Sequence, residues 1–182
     1  HLPTRRQRQM CIRDRSEELL ERLCPPVRNW FKDKFPDFTE PQKVAIPRIL
    51  NGEHLLLCSP TGSGKTLTAF LTIIDDLVRR SLDGSLPDAV QCVYISPIKA
   101  LANDIEKNLM GPLGEIKERY LPSRAKEIKV GLRTGDTPQS EREKMLRKPP
   151  HILITTPESL GLGLASKRFR PILDQMKWFI ID

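Results

Sequence analysis

The sequence predicts a doubly wound α/β fold, a parallel sheet with helices on both faces. Three observations predict it. Short apolar runs alternate with amphipathic stretches along the chain. The apolar runs are near-continuous rather than alternating, as in strands buried on both faces. A Gly-rich turn, Ser59-Pro60-Thr61-Gly62-Ser63-Gly64-Lys65-Thr66, joins the first apolar run to a helical stretch. Ligands of such sheets bind beyond the carboxyl ends of the strands, so the strand-to-helix loops are the places to search.

Taken in order, Glu17–Cys24 and Val27–Lys34 read as helices, broken by Pro25-Pro26. Thr39 reads as an N-cap with Glu40 and Pro41 in the first turn, and its helix runs to about Leu50, where Asn51-Gly52 ends it. His54–Cys58 reads as a buried strand. After the Gly-rich turn, Leu67–Arg80 is helical, with Leu67, Phe70, Leu71, Ile74, Leu77 and Val78 on one core face. Ser81–Asp88 is a loop, and Ala89–Ser96 a second strand. A helix starts near Ile98 and is interrupted at Gly111-Pro112, with a further helical piece to about Tyr120. Then come a strand over Ile128–Arg133, a charged helix over Pro138–Arg147, and a strand over His151–Thr155. A short helix over Pro157–Ala165 and a fifth strand over Trp178–Ile181 complete the pattern.

The turn at 59–66 fits the phosphate-loop pattern G-x-x-x-x-G-K-[ST] except at its first glycine, which is Ser59. A strand before it and a helix after it are the context that the motif needs. Backbone N–H groups over Thr61, Gly62, Ser63, Gly64, Lys65 and Thr66 would face phosphate oxygens, and the helix dipole adds to the attraction. Lys65 would reach the β/γ-phosphates of a bound nucleotide, and the Thr66 hydroxyl would ligate Mg²⁺. Asp182, at the end of an apolar strand downstream of that loop, stands at the Walker B position and would hold the same Mg²⁺. Lys65, Thr66 and Asp182 are therefore the candidate catalytic set.

At 182 residues the chain fits one domain by a prior of roughly 100–200 residues each. Its 38% hydrophobic and 29% charged residues suit a soluble globular protein, and no apolar run approaches the roughly 20 residues that span a bilayer. No membrane partner is expected, and no apolar h-region follows the basic N-terminus. The cysteines Cys11, Cys24, Cys58 and Cys92 show no C-x-x-C spacing. Cys58 and Cys92 fall in predicted buried strands, so inert core thiols and a reducing, cytoplasmic setting are expected. The three histidines show no metal-ligand spacing.

The net charge is +7, but residues 1–15 hold five arginines and one acid, and the remainder carries 25 basic against 22 acidic residues. Charge alone is therefore poor evidence for a polyanion partner. Met10-Cys11-Ile12-Arg13-Asp14-Arg15 resembles translated sequencing-adapter read-through, so residues 1–15 are set apart from the fold. The alternative is a basic arm that binds nucleic acid.

Ser96-Pro97-Ile98-Lys99-Ala100-Leu101 follows the second strand, Thr134-Gly135-Asp136 the third, and Thr155-Thr156-Pro157-Glu158-Ser159-Leu160 the fourth. With the phosphate loop and Ile180-Ile181-Asp182, these resemble, in order, motifs I, Ia, a Thr-Gly motif, Ib and the start of motif II of superfamily 2 helicases. Thr39-Glu40-Pro41-Gln42 resembles the Q motif. The wording is most similar to the Lhr-type (large helicase-related) DNA helicases, over about residues 28–182.

The resemblance implies a P-loop NTPase fold of RecA-like type over residues 16–182, a partial first motor domain that breaks off at motif II. It implies ATP and Mg²⁺ as cofactors. As partners it implies a single-stranded or partly duplex nucleic acid, DNA first, and a second RecA-like domain. In that family a Glu follows the motif II Asp and polarises the attacking water, and the second domain supplies arginine fingers. The resemblance therefore implies that residues 1–182 alone bind ATP poorly and hydrolyse almost none.

Several residues keep two readings. Gln42 can pair bidentately with the adenine N6/N7 edge, or be an exposed helix residue. Trp30 and Phe31 suit a base or the helix core equally well. Pro97, Lys99, Thr134, Gly135, Thr156 and Pro157 are the candidate nucleic-acid contacts, through backbone donors and hydroxyls that read phosphates without reading sequence. Lys99 also suits a solvated helix face, and Thr156-Pro157 an ordinary helix cap. The competing functions are an RNA helicase of DEAD-box or Ski2-like type, a nucleotide-dependent remodelling protein without unwinding, and a P-loop enzyme of small molecules. The loops at Ser96 and Thr155 argue against the last.

Overall fold

A computed structural model describes residues 15–60, 62–97 and 99–182; between residues 99 and 108 it describes only the Ile105 side chain. The chain divides into two compact units. One runs to Arg79 and includes Arg119–Leu121; the other comprises Arg80–Glu118 and Pro122–Asp182.

The first unit begins with helix α1 (residues 15–22), α2 (Pro25–Lys34) and α3 (Glu40–Leu50). The predicted break between two helices is present, but Pro25 and Pro26 open α2 rather than standing before it, two residues ahead of the predicted Val27. Proline is pre-organised for the first helical positions, whose N–H groups lack partners in any case. Trp30 and Phe31 are buried, and Phe31 stacks on Phe38 at 4.2 Å between ring centroids. The core reading of these two aromatics therefore holds. Thr39 caps α3 through a capping box, in which the Thr39 side chain accepts from the Gln42 backbone and Gln42 Oε1 accepts from Thr39 N–H at 2.9 Å.

Helix α4 (Lys65–Asp83) is longer at both ends than the predicted Leu67–Arg80. Its apolar stripe is buried as expected, with Leu71, Ile74, Leu77 and Val78 fully enclosed. Asp75 is buried on the same helix. It accepts from Cys24 N–H at 2.6 Å and from Arg79 Nε at 2.7 Å. The aspartate thus serves the start of α2 as well as a neighbour one turn along α4.

One predicted strand is absent. Residues 53–60 take no regular structure, Leu56 is 88% exposed, and Cys58 is exposed rather than a core thiol. An apolar run becomes a strand only when a neighbouring strand takes up its N–H and C=O groups, and no described strand pairs with 54–58.

The second unit carries a four-stranded sheet of β1 (Cys92–Ile95), β2 (Val130–Arg133), β3 (Ile152–Thr155) and β4 (Trp178–Ile181). The spatial order is β2-β3-β1-β4, and every pairing is parallel. Register places Tyr94 beside both Ile154 and Ile180. Helices α5 (Lys99–Tyr120), α6 (Gln139–Arg147) and α7 (Pro157–Ala165) connect the strands, with a 3-10 turn over Arg170–Leu173 before β4. Pro112 does not interrupt α5. An interior proline costs about 3 kcal/mol, which burial of Leu109, Leu113 and Ile116 along one stripe offsets. Val90, Val93, Leu153, Leu160, Phe169 and Ile172 form one core of this unit. Gly163 carries no side chain because a Cβ there would come within 2.7 Å of the Phe169 ring. The α/β architecture and the parallel sheet are as the sequence predicts.

Candidate functional site

In the first unit the phosphate loop turns through Gly62 and Gly64, at φ of 79° and 84°. These left-handed conformations are open to glycine at little cost. Ser63 N–H donates to Pro60 O at 3.4 Å, and the Ser59 and Ser63 hydroxyls meet at 2.6 Å. The loop leads directly into α4, whose first intrahelical bond, Thr68 N–H to Gly64 O, is 2.9 Å. The N–H groups of Lys65, Thr66 and Leu67 precede it and have no intrahelical acceptor. The Lys65 ammonium turns back into the loop and donates to the carbonyls of Ser59 and, at 3.0 Å, of Pro60. The segment 59–66 contains no acid. Free donors, a helix N-terminus and a lysine held by two carbonyls that it can exchange suit a polyphosphate. Thr61 lies outside the described residues.

Gln42 is 3% exposed, so it is not the solvated helix glutamine of the bland reading. Its amide oxygen is held by Thr39, and its Nε2 lies 2.8 Å from where a Cβ on Gly64 would be. The Thr39 hydroxyl donates to Ser63 O at 3.0 Å. Two residues of α3 and its cap therefore bear directly on the phosphate loop, a connection that local patterns do not show.

In the second unit Asp182 follows β4. Its N–H donates to Ile95 O at 3.1 Å, and its Oδ2 accepts from the Tyr94 hydroxyl. Burial first, then the Asp182 hydrogen bond, push the Tyr94 phenol above its usual pKa, so it stays a donor to the carboxylate. Tyr94 was missed in the sequence. The available signal was a phenol within an otherwise aliphatic strand, which needs a partner once buried.

The loop after β2 is closely held. Thr134 is buried and its N–H is taken by Thr137 Oγ1 at 2.8 Å, so that donor is not free for a phosphate as the sequence suggested. Gly135 is exposed. Arg142, one turn into α6, donates to Thr137 O at 2.8 Å, Gly135 O at 2.8 Å and Thr134 O at 3.2 Å. Arg142 is the second residue that sequence reasoning missed; nothing in a charged helix singles out one arginine.

After β3, Thr155 Oγ1 donates to Arg133 O at 2.8 Å. Thr156 is the N-cap of α7, and its hydroxyl accepts from Ser159 N–H at 3.4 Å. It is buried, so the capping reading accounts for its hydroxyl. Pro157 is exposed at the helix start. The Glu158 N–H has no intrahelical acceptor at this position and is the donor left over in that turn. After β1, Pro97 is exposed, and Lys99 opens α5 with its side chain outside the described residues. The strand-end loops of the second unit thus present Pro97, Gly135 and Pro157 at the surface, backed by Thr134, Thr156 and Arg142.

No cluster of three His, Cys, Asp or Glu that could hold a metal occurs among the described residues. A magnesium ion carried by phosphate oxygens needs only one or two protein ligands, so a larger acidic or histidine cluster is not required for one. None of the described helices is long and apolar enough to cross a membrane.

Comparison with known proteins gives this geometry its context. The family model for the DEAD/DEAH box helicase matches residues 39–182. The ATP-dependent helicase Lhr-Core of Methanocaldococcus jannaschii is 49% identical over 168 residues, which cover 91% of this chain and 20% of that protein. The Lhr helicase/uracil glycosylase of Escherichia coli is 42% identical over 175 residues, 93% of this chain and 11% of that one. Among solved structures, Mycobacterium smegmatis helicase Lhr bound to ssDNA and AMP-PNP superposes with a TM-score of 0.80 at 43% identity, over 90% of this chain and 20% of that one. The chain spans a fifth or less of the length of these proteins.

Proposed function

The chain belongs to the DEAD/DEAH box helicase family, and from that premise we propose that it is part of the first motor domain of an Lhr-like ATP-dependent DNA helicase. In this reading residues 16–182 form the ATP-binding part of that domain, and a second RecA-like domain completes the motor. Similarity to a helicase bound to ssDNA and AMP-PNP favours DNA over RNA, as a single strand or at a partly duplex junction.

The observation that carries the reading is the phosphate loop itself. Gly62 and Gly64 curl the chain around the Lys65 ammonium at the start of α4. ATP bound with Mg²⁺ supplies the phosphoryl transfer to water that drives the motor. The chain's own residues would do the following. The N–H groups of Gly62–Thr66 receive the phosphate oxygens, and Lys65 exchanges its two carbonyl partners for them. Thr66 and Asp182 supply oxygen ligands for Mg²⁺, with Tyr94 fixing the carboxylate. Gln42, held at its Oε1 by Thr39 N–H, meets the adenine edge. Gly135, Pro157, Pro97 and Lys99 line the path of a strand, with Thr134 and Thr156 shaping the loops. Such contacts follow the backbone and suit a motor that moves along any sequence.

The test is Lys65→Ala in the full-length protein. DNA-stimulated ATP hydrolysis should fall to background, with the circular dichroism spectrum unchanged. Undiminished hydrolysis in a folded variant would refute the assignment.

A further inference from the structure

Beside the Thr134–Thr137 loop is a pocket of about 270 Å³ that no part of the proposed ATP site uses. It lies wholly within the second unit. Arg133, Arg142, Arg168, Glu143 and Phe169 are among the residues that line it.

The charges in this pocket do not balance. Three guanidinium groups share one carboxylate. Glu143 is already committed to Arg168, with contacts of 3.1 Å to Nη1 and 2.7 Å to Nη2. Arg142 spends its donors on three backbone carbonyls, which orient it without neutralising it. Arg133 sits over the Phe169 ring, its guanidinium carbon 4.2 Å from the centroid. It donates no hydrogen bond to any described residue. Burial, and then the Arg142 charge, hold its pKa below the ordinary guanidinium value. A guanidinium held over an aromatic ring with its donors unused is suited to bidentate recognition of an oxyanion. Phe169 is 1% exposed, so the ring beneath the guanidinium is a fixed part of the core.

We infer that this pocket takes a phosphate group of the nucleic-acid backbone, with Arg133 as its ligand and Arg142 as the second charge. Arg142 makes the link to the strand: the same side chain lines the pocket and holds the carbonyls of Thr134 and Gly135. A strand contacting the exposed Gly135 would have a neighbouring phosphate within reach of this pocket. The inference rests on the nucleic-acid reading above and adds a contact that the strand-end motifs do not contain.

The experiment titrates a fluorescent single-stranded oligodeoxynucleotide into the full-length protein over a series of salt concentrations. Arg133→Gln should weaken binding on the order of tenfold at moderate salt. It should also lower the slope of log K against log salt by about 0.7, the share of one phosphate contact on a single strand. An unchanged affinity and slope in a folded Arg133→Gln variant overturn the inference while leaving the helicase reading standing. A wild-type protein that fails to bind the oligonucleotide overturns both. Should Arg133→Gln not fold, Arg133→Lys keeps the charge and the stem. The inference then requires a wild-type slope with affinity reduced several-fold, and an undiminished affinity sinks it.

Discussion

At Gly64 the backbone and a neighbouring side chain impose the same demand. Its φ of 84° disfavours any side chain, and a Cβ would press on Gln42 Nε2 at 2.8 Å. Gly64→Ala should therefore cost about 1–2 kcal/mol from the left-handed conformation. Displacing Gln42 adds about 1 kcal/mol more by loosening the α3 capping box. The expected outcome is a lower unfolding midpoint and at least tenfold weaker nucleotide binding, read by titration with a fluorescent ATP analogue. Wild-type affinity in this variant would mean that the loop does not need its present turn. The glycine and the lysine were legible from spacing alone. The meeting of Gln42 with Gly64 was not, because it joins residues 22 positions apart. Tyr94 with Asp182 was hidden for the same reason, at a separation of 88.

At the scale of elements, β3 shows how a buried polar group sets pH behaviour. His151 stands immediately before β3 and is fully buried, and its Nδ1 accepts from Lys129 N–H at 2.9 Å. Burial, then the charges of Lys126 and Lys129, lower its pKa to about 4, against weaker opposing effects from Asp88 and a backbone hydrogen bond at Pro87. The unfolded chain, with an ordinary histidine near 6.5, therefore binds more protons than the folded one between those values. Stability from the neutral imidazole is complete above about pH 6.5 and is lost as pH falls toward 4. That difference amounts to at most about 3 kcal/mol, less once solvent screening is allowed for. His151→Gln should be less stable at pH 7 but should show a flatter fall between pH 6.5 and 4 in urea melts. Equal slopes in both proteins would exclude His151 as the source. Helix positions were read well from the sequence where caps and stripes are local, as in α3, α4 and α7. Prolines misled it at Pro112, which stays inside α5, and shifted the start of α2 by two residues at Pro25-Pro26. There the ends of helices were decided by what the flanking apolar residues could bury.

At the scale of the molecule, the open edge of β4 matters most. β4 pairs with β1 on one side and with no described strand on the other. Phe179 and Ile181, on one of its faces, are 50% and 74% exposed. Open strands with exposed apolar residues recruit other chains. Residues 1–182 alone should therefore associate with increasing concentration in sedimentation velocity. Ile181→Lys should suppress that association while leaving the circular dichroism spectrum unchanged. A strictly monomeric wild-type chain at high concentration would contradict this.

The sequence by itself determined the order and type of nearly every element, the parallel sheet and the place of the phosphate loop. These follow from periodicity, caps and turn residues, which act within a few positions along the chain. Only the tertiary structure decided which strands pair. It left 54–58 without a partner and Cys58 exposed, gave Thr156 a capping role, and gathered Arg133, Arg142 and Phe169 around one pocket. Each of these outcomes depends on groups far apart in sequence competing for the same hydrogen bonds and the same buried space, and no local pattern records who wins.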